Sequence, residues 1–287
     1  VHPDPRVARL AALAFAALPN SVVWSTQLLK DSTIVLLEVT LALDLVRLLN
    51  RGFRARTLFR LVTVTAVLAA FRFYVPLLIY GSCVLAYAVL AWQARGRRAT
   101  LLFVSVLLLA GILGFSMTGR IWSRYLDFGE WSQLDGLRAT TLGGDSDFAR
   151  DSRIGSPLDL VRFLPTGMAY FLAGPLPWQA RKTAHYLTWL DIPVWYPALI
   201  LGFAGMPLLM RRRQALPLVG ICLGLTVFYS LFLANLGTAY RMRLQVTPFF
   251  LLAAACSWYR FHERSIARSA RTYSGAGGVG ESAGILS

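Results

Sequence analysis

The sequence predicts an all-α fold, a polytopic helical membrane protein of about eight transmembrane helices with one long extracytoplasmic loop. Three observations carry this. The 287 residues are 56% hydrophobic and only 15% charged, with a mean hydropathy of +0.55, too apolar for a soluble domain of this size. The apolar residues come in runs near the ~17 to 25 residues that a bilayer-spanning helix requires. The basic residues behind the net charge of +15 cluster between those runs, so membrane topology accounts for them better than a nucleic-acid partner does.

The first apolar run, residues 8–24, passes through Pro19 into a polar knot that ends at Lys30 and Asp31, and a second run follows over 32–49. Lys30 and Asp31 thus stand where two spans meet one membrane face. Pro19 loosens the incoming helix, Trp24 supplies an interfacial anchor, and Asp31 begins the next helix, where the dipole favours an anion. Arg51, Arg54, Arg56 and Arg60 precede an apolar run over 61–92. That run is too long for one span, and Arg72 with Pro76 marks a tight turn between two short helices. Arg95, Arg97 and Arg98 close this hairpin, and 100–118 read as a fifth span.

Residues 119–190 form the longest region without a span and hold half of the acids, from Asp127 to Asp159. The stretch Gly143-Gly144-Asp145-Ser146-Asp147 lacks the spacing of an EF-hand or a P-loop. Inside the region, 157–178 is apolar but interrupted by Arg162, Pro165, Pro175 and Pro177, which predicts an interfacial or half-inserted segment. Spans at 192–210, 215–234 and 244–259 complete the set. Residues 1–260 are therefore assigned to a transmembrane domain, and 261–287 to a basic cytoplasmic stub with a flexible glycine-rich tail. The chain has no initiator Met and enters its first run without the n-region and cleavage site of a signal peptide, so an N-terminal part of a longer protein is expected upstream of Val1.

Orientation follows from lysine and arginine. With eight spans, 16 of these residues fall on one face and 4 on the other once the long loop, which barely counts, is set aside. The richer face is cytoplasmic. Cys83, Cys222 and Cys256 all lie within apolar runs and read as buried small hydrophobes. The scattered His2, His185 and His262 form no metal motif, which leaves a carboxylate-bound divalent ion open. Lys30, Asp31, Arg72, the acidic loop, Asp191, Arg241 and Arg243 all converge on the extracytoplasmic face. Such a convergence suits a site where a lipid-borne anion meets a polar substrate; the alternative is arginines that snorkel singly to headgroups.

Several motifs in order then carry a resemblance. Pro19, Trp24-Ser25 and Lys30-Asp31 precede a leucine-rich run. Phe71-Arg72-Phe73-Tyr74, Phe163-Leu164-Pro165, Gly174-Pro175-Leu176-Pro177-Trp178 and Gly237-Thr238-Ala239-Tyr240-Arg241-Met242-Arg243 with Pro248 follow. Over most of the chain this pattern resembles bacterial integral-membrane glycosyltransferases of the GT-C type. The resemblance implies transfer of a sugar from a polyprenyl-phosphate donor to an extracytoplasmic acceptor, whether glycan, lipid or protein, without a covalently bound cofactor. It implies that the principal catalytic acid precedes Val1, that Asp31 is a second acid, that Arg72, Arg241 and Arg243 hold the donor phosphate, and that Lys30 is a further substrate-binding residue. The chemistry these residues permit is a single displacement, in which a carboxylate takes the acceptor proton and guanidinium groups stabilise the departing phosphate. A lipid or sugar transporter, and a non-catalytic membrane scaffold, are the competing readings; Glu38 and Asp44 are the acids inside a span, and no inverted repeat is visible.

Overall fold

The computed structural model describes residues 5–26, 30–51, 54–91, 138, 147–148, 154–176 and 189–276. These residues are almost entirely helical, and the strand content among them is one isolated bridge between Asp147 and Asn235. The all-α expectation holds. The fifth expected span at 100–118, most of the loop at 119–190 and the tail at 277–287 lie outside the described residues.

The expected first span is divided. Proline has no N–H to donate, and Pro19 separates helix α1 (Pro5–Ala17) from α2 (Pro19–Thr26). Helix α3 (Asp31–Arg51) opens with an acid in its first turn. Helices α4 (Ala55–Phe71) and α5 (Tyr74–Ala91) meet at a two-residue turn, where the extended Arg72 donates its N–H back to Leu68. Pro76 falls in the first turn of α5, where a missing donor costs nothing. The predicted hairpin is therefore present, with Arg72 at its bend.

Within the 157–178 segment, the described part is helical through most of its length, and whether it lies along or crosses a membrane is a separate matter. The segment forms a regular helix, α6 (Pro157–Ala173), about 25 Å long. Pro157 occupies the first helical position, Ser156 caps the Asp159 N–H, and Ser156 Oγ donates to the Asp159 carboxylate at 2.7 Å. Pro165 is accommodated inside the helix, and Pro175 falls beyond its end. Helix α7 (Ile192–Met210) has the predicted bounds, and a 3-10 turn (Arg213–Ala215) leads into α8 (Leu216–Phe232). The expected loop at 235–243 is instead a short helix, α9 (Leu236–Arg243), because the Asn235 side chain accepts from the Gly237 and Thr238 N–H groups. Helix α10 (Thr247–Ala276) runs without a break through the basic residues after 260, so the stub is continuous with the last expected span.

Packing is built on close backbone approach. Helix α7 lies along α10, and a Cβ placed on Gly205 would sit 1.9 Å from the Ala253 carbonyl oxygen. Gly167 of α6 meets the Ser230 carbonyl of α8 in the same way, at 2.1 Å. With no side chain on these glycines, the paired helix backbones come into direct contact. Helix α8 also packs on α5, α3 on α4, and α1 on α10. One apolar cluster, from Leu41 and Leu68 through Ile79 to Leu225 and Phe250, joins them. Large apolar side chains also face outward, including Leu36, Phe59 and Ile200. Among the described residues one helix, Ile192–Met210, is long and apolar enough to cross a membrane, with Tyr74–Leu85 and Leu216–Phe232 as shorter apolar helices.

Two ends of this bundle carry charge. At one, buried Asp44 of α3 binds Arg47 at 3.2 Å and receives Arg60 Nε of α4 at 2.7 Å. The other end begins at Asp31, 13 residues earlier on α3, or about 20 Å away along the axis.

Candidate functional site

Asp31 is the centre of a buried ionic cluster. Its position at the start of α3 puts a carboxylate against the positive end of the helix dipole. The α4–α5 bend carries Arg72 over the same point, and Arg72 donates to Asp31 Oδ1 at 2.8 Å. From the last turn of α9, Arg241 Nε donates to Asp31 Oδ2. The Asp31 side chain is 2% exposed, Arg72 8% and Arg241 28%, so solvent reaches the cluster through Arg241. Two guanidinium groups on one carboxylate leave a local charge of about +1, and charge-assisted pairs of this kind are strong when dry.

A second row of polar groups stands behind Arg72. Gln245, in the break between α9 and α10, can orient its amide so that its oxygen accepts from Arg72 at 2.9 Å. Its nitrogen then donates to Glu38 Oε1 at 2.6 Å and to the Tyr229 hydroxyl at 2.7 Å. Met242 Sδ and the Tyr74 hydroxyl also face the Arg72 guanidinium. Glu38 is completely buried two turns below Asp31 on α3. It reaches Arg72 through Gln245.

Beside this cluster lies another, centred on Asp191. The break at Pro19 interrupts the helical ladder, and the Asn20 N–H that follows it donates to Asp191 Oδ1 at 3.0 Å. The Tyr240 hydroxyl donates to Asp191 Oδ2, and Asn20 Nδ2 donates to the Tyr240 carbonyl at 3.3 Å. Burial raises the Asp191 carboxyl above its ordinary range, opposed by the Tyr240 and Asn20 donors. These contacts tie the start of α7 to α2 and α9, and so hold the helix that carries Arg241.

Arg243 is not part of the Asp31 cluster. It is buried, and its Nε donates to the Phe171 carbonyl at 2.8 Å while a terminal nitrogen donates to the Gly174 carbonyl. The guanidinium carbon lies 5.7 Å from the centroid of Trp195 and 5.4 Å from that of Tyr240. Burial lowers its pKa to about 10. Its work is to satisfy the orphan carbonyls at the end of α6, where a cation also suits the dipole. Lys30 is exposed immediately before Asp31 and forms no ion pair among the described residues.

Of the five residues singled out from sequence, Asp31, Arg72 and Arg241 come together, Arg243 does not, and Lys30 borders the group. Tyr240, Asn20 and Gln245 were missed. Asn20 sits in the polar knot around Pro19, and Gln245 is a polar residue at the start of the 244–259 apolar run, which is the signal that could have marked them. Among the described residues no group of three His, Cys, Asp or Glu converges on a possible metal position.

An apolar groove of about 430 Å³ lies alongside, between α1, α2, α3 and α10. Ala11, Phe15, Val39 and Leu252 wall it, and Ser32, next to Asp31, and Leu244, three residues after Arg241, line it too. The groove thus reaches the residue next to Asp31, whose partners are the buried Arg72 and the partly exposed Arg241. Comparison of the chain with family models, curated proteins and solved structures finds no match.

Proposed function

We propose that the chain belongs to a multispanning membrane glycosyltransferase that takes a sugar from a polyprenyl-phosphate donor and passes it to an extracytoplasmic acceptor. The observation that carries this reading is the Asp31, Arg72 and Arg241 cluster beside an apolar groove. A lipid phosphate needs cations at one end and a hydrocarbon slot at the other, and the groove begins at Ser32, the residue after Asp31. The reading includes about eight spans, with residues 119–190 outside the bacterial inner membrane. Outward-facing Leu36, Phe59 and Ile200 support burial in lipid.

The geometry narrows the role of Asp31. Both of its oxygens accept from guanidinium groups, so it is poorly placed to take a proton from an acceptor hydroxyl. Asp31 orients the two arginines. Arg241, the more exposed, meets the donor phosphate and stabilises it as the glycosidic bond breaks. The acceptor proton goes to a carboxylate other than Asp31. Arg72, locked by Asp31 and Gln245, adds charge from behind.

The test uses the full-length protein in nanodiscs with a polyprenyl-phosphate donor carrying a radiolabelled hexose and a membrane fraction as acceptor. Arg241→Lys keeps the charge but loses the planar fork, and the expected result is a loss of donor turnover with unchanged thermal stability. Equal turnover by wild type and Arg241→Lys contradicts the proposal.

A further inference from the structure

We propose a second anion site at the far end of the α7–α10 pair, one that binds the phosphate of a membrane phospholipid headgroup. Helix α7 carries the chain 19 residues from Asp191, or about 28 Å, to a pocket of about 340 Å³. Arg211 and Arg212 enter it from the end of α7, and Arg260 and Glu263 from α10, over a floor of Cys256 and Tyr259. The placement follows from the chain. The Arg211 N–H bonds back to the Pro207 and Leu209 carbonyls, which ends α7 against α10. Cys256, Arg260 and Glu263 recur at helical spacing on one face of α10.

Arg211, Arg212 and Arg260 share one concavity with a single lining carboxylate, Glu263, an excess of guanidinium groups that a bound anion offsets. Phosphate suits planar guanidinium forks. Basic pockets between helices at the cytoplasmic surface are where lipid headgroups bind, and the charge asymmetry of the sequence puts this end there. The inference rests on the membrane location of the chain and not on glycosyl transfer, since none of its residues touches the Asp31 cluster. Glu263 opposes the anion, so removing its charge has the opposite sign from removing an arginine. That contrast separates ligand binding from damage to the fold.

The test places the full-length protein in phosphatidylcholine nanodiscs, adds phosphatidylglycerol, and reads the bound lipid by native mass spectrometry. A parallel arm titrates detergent-solubilised protein with inorganic phosphate by calorimetry. Arg211→Gln and Arg260→Gln should each weaken phosphatidylglycerol binding roughly five-fold, and Glu263→Gln should strengthen it. The same pattern with inorganic phosphate alone would overturn the lipid assignment and identify a soluble phosphate as the ligand. If neither ligand responds to the variants, or if Glu263→Gln weakens binding along with the arginine variants, the site is overturned.

Discussion

Replacing Asp31 by Asn leaves Arg72 and Arg241 facing an amide that can accept from one of them and must present its own N–H groups to the other. Removing one partner from a fully buried pair costs about 3 to 5 kcal/mol, because the remaining charge is left without compensation. Arg72 is nearly as buried as Asp31, whereas Arg241 is 28% exposed and can turn toward water. The expected destabilisation is therefore at the lower end, about 3 kcal/mol. The two arginines should divide it unequally. Double-mutant cycles pairing Asp31→Asn with Arg72→Met and with Arg241→Met should give couplings of about 2 and about 1 kcal/mol. Reversible unfolding by dodecyl sulfate in mixed micelles, followed by tryptophan fluorescence, supplies the free energies. An Asp31→Asn variant within about 0.5 kcal/mol of wild type, or a larger coupling to Arg241 than to Arg72, would refute the reasoning.

Three further outcomes are expected. Gly205→Ala puts a methyl 1.9 Å from the Ala253 carbonyl oxygen, so α7 and α10 must part, at a cost of about 1 to 3 kcal/mol read in the same unfolding assay. Burial raises the folded-state pKa of Asp191, so the fold holds this proton more tightly than the unfolded chain does. Its contribution to stability is greatest below the ordinary carboxyl range and declines as pH rises from that range through the raised value; thermal melts of Asp191→Asn should lack that decline. Cysteines placed near Gly144 should react with an impermeant reagent in intact cells, while those near Arg212 stay protected.

The helical architecture could be read from apolar runs wherever a run was uninterrupted, as in α7 and α8, because burial or lipid exposure of a whole helix needs little else. It failed where a polar residue acts as a cap. Asn235 starts α9 in a stretch read as a loop, and that error propagated to the site. On a helix, Arg241 and Arg243 are two positions apart and diverge by about 200°, so both cannot face Asp31. Once α9 is helical, one of them must turn toward the end of α6. In the proline-bearing 157–178 segment the prolines permit a helix: Pro157 sits at the one helical position where it is favourable, and Pro175 lies past the end. Asp31, Arg72 and Arg241 were recoverable because each falls at a break between apolar runs on the same face. Glu38 was visible as an acid inside a run, but its link to Arg72 passes through Gln245, and nothing in residue spacing reports such a contact.

The most direct measurement is a cryo-electron microscopy structure of the full-length protein in nanodiscs with added polyprenyl phosphate. The account predicts phosphate density at ion-pair distance from Arg241, next to the Asp31 carboxylate, with the first isoprene units in the groove between α1, α3 and α10. Phosphate density elsewhere on the protein, with that groove empty and Arg241 still turned wholly to Asp31, would contradict it.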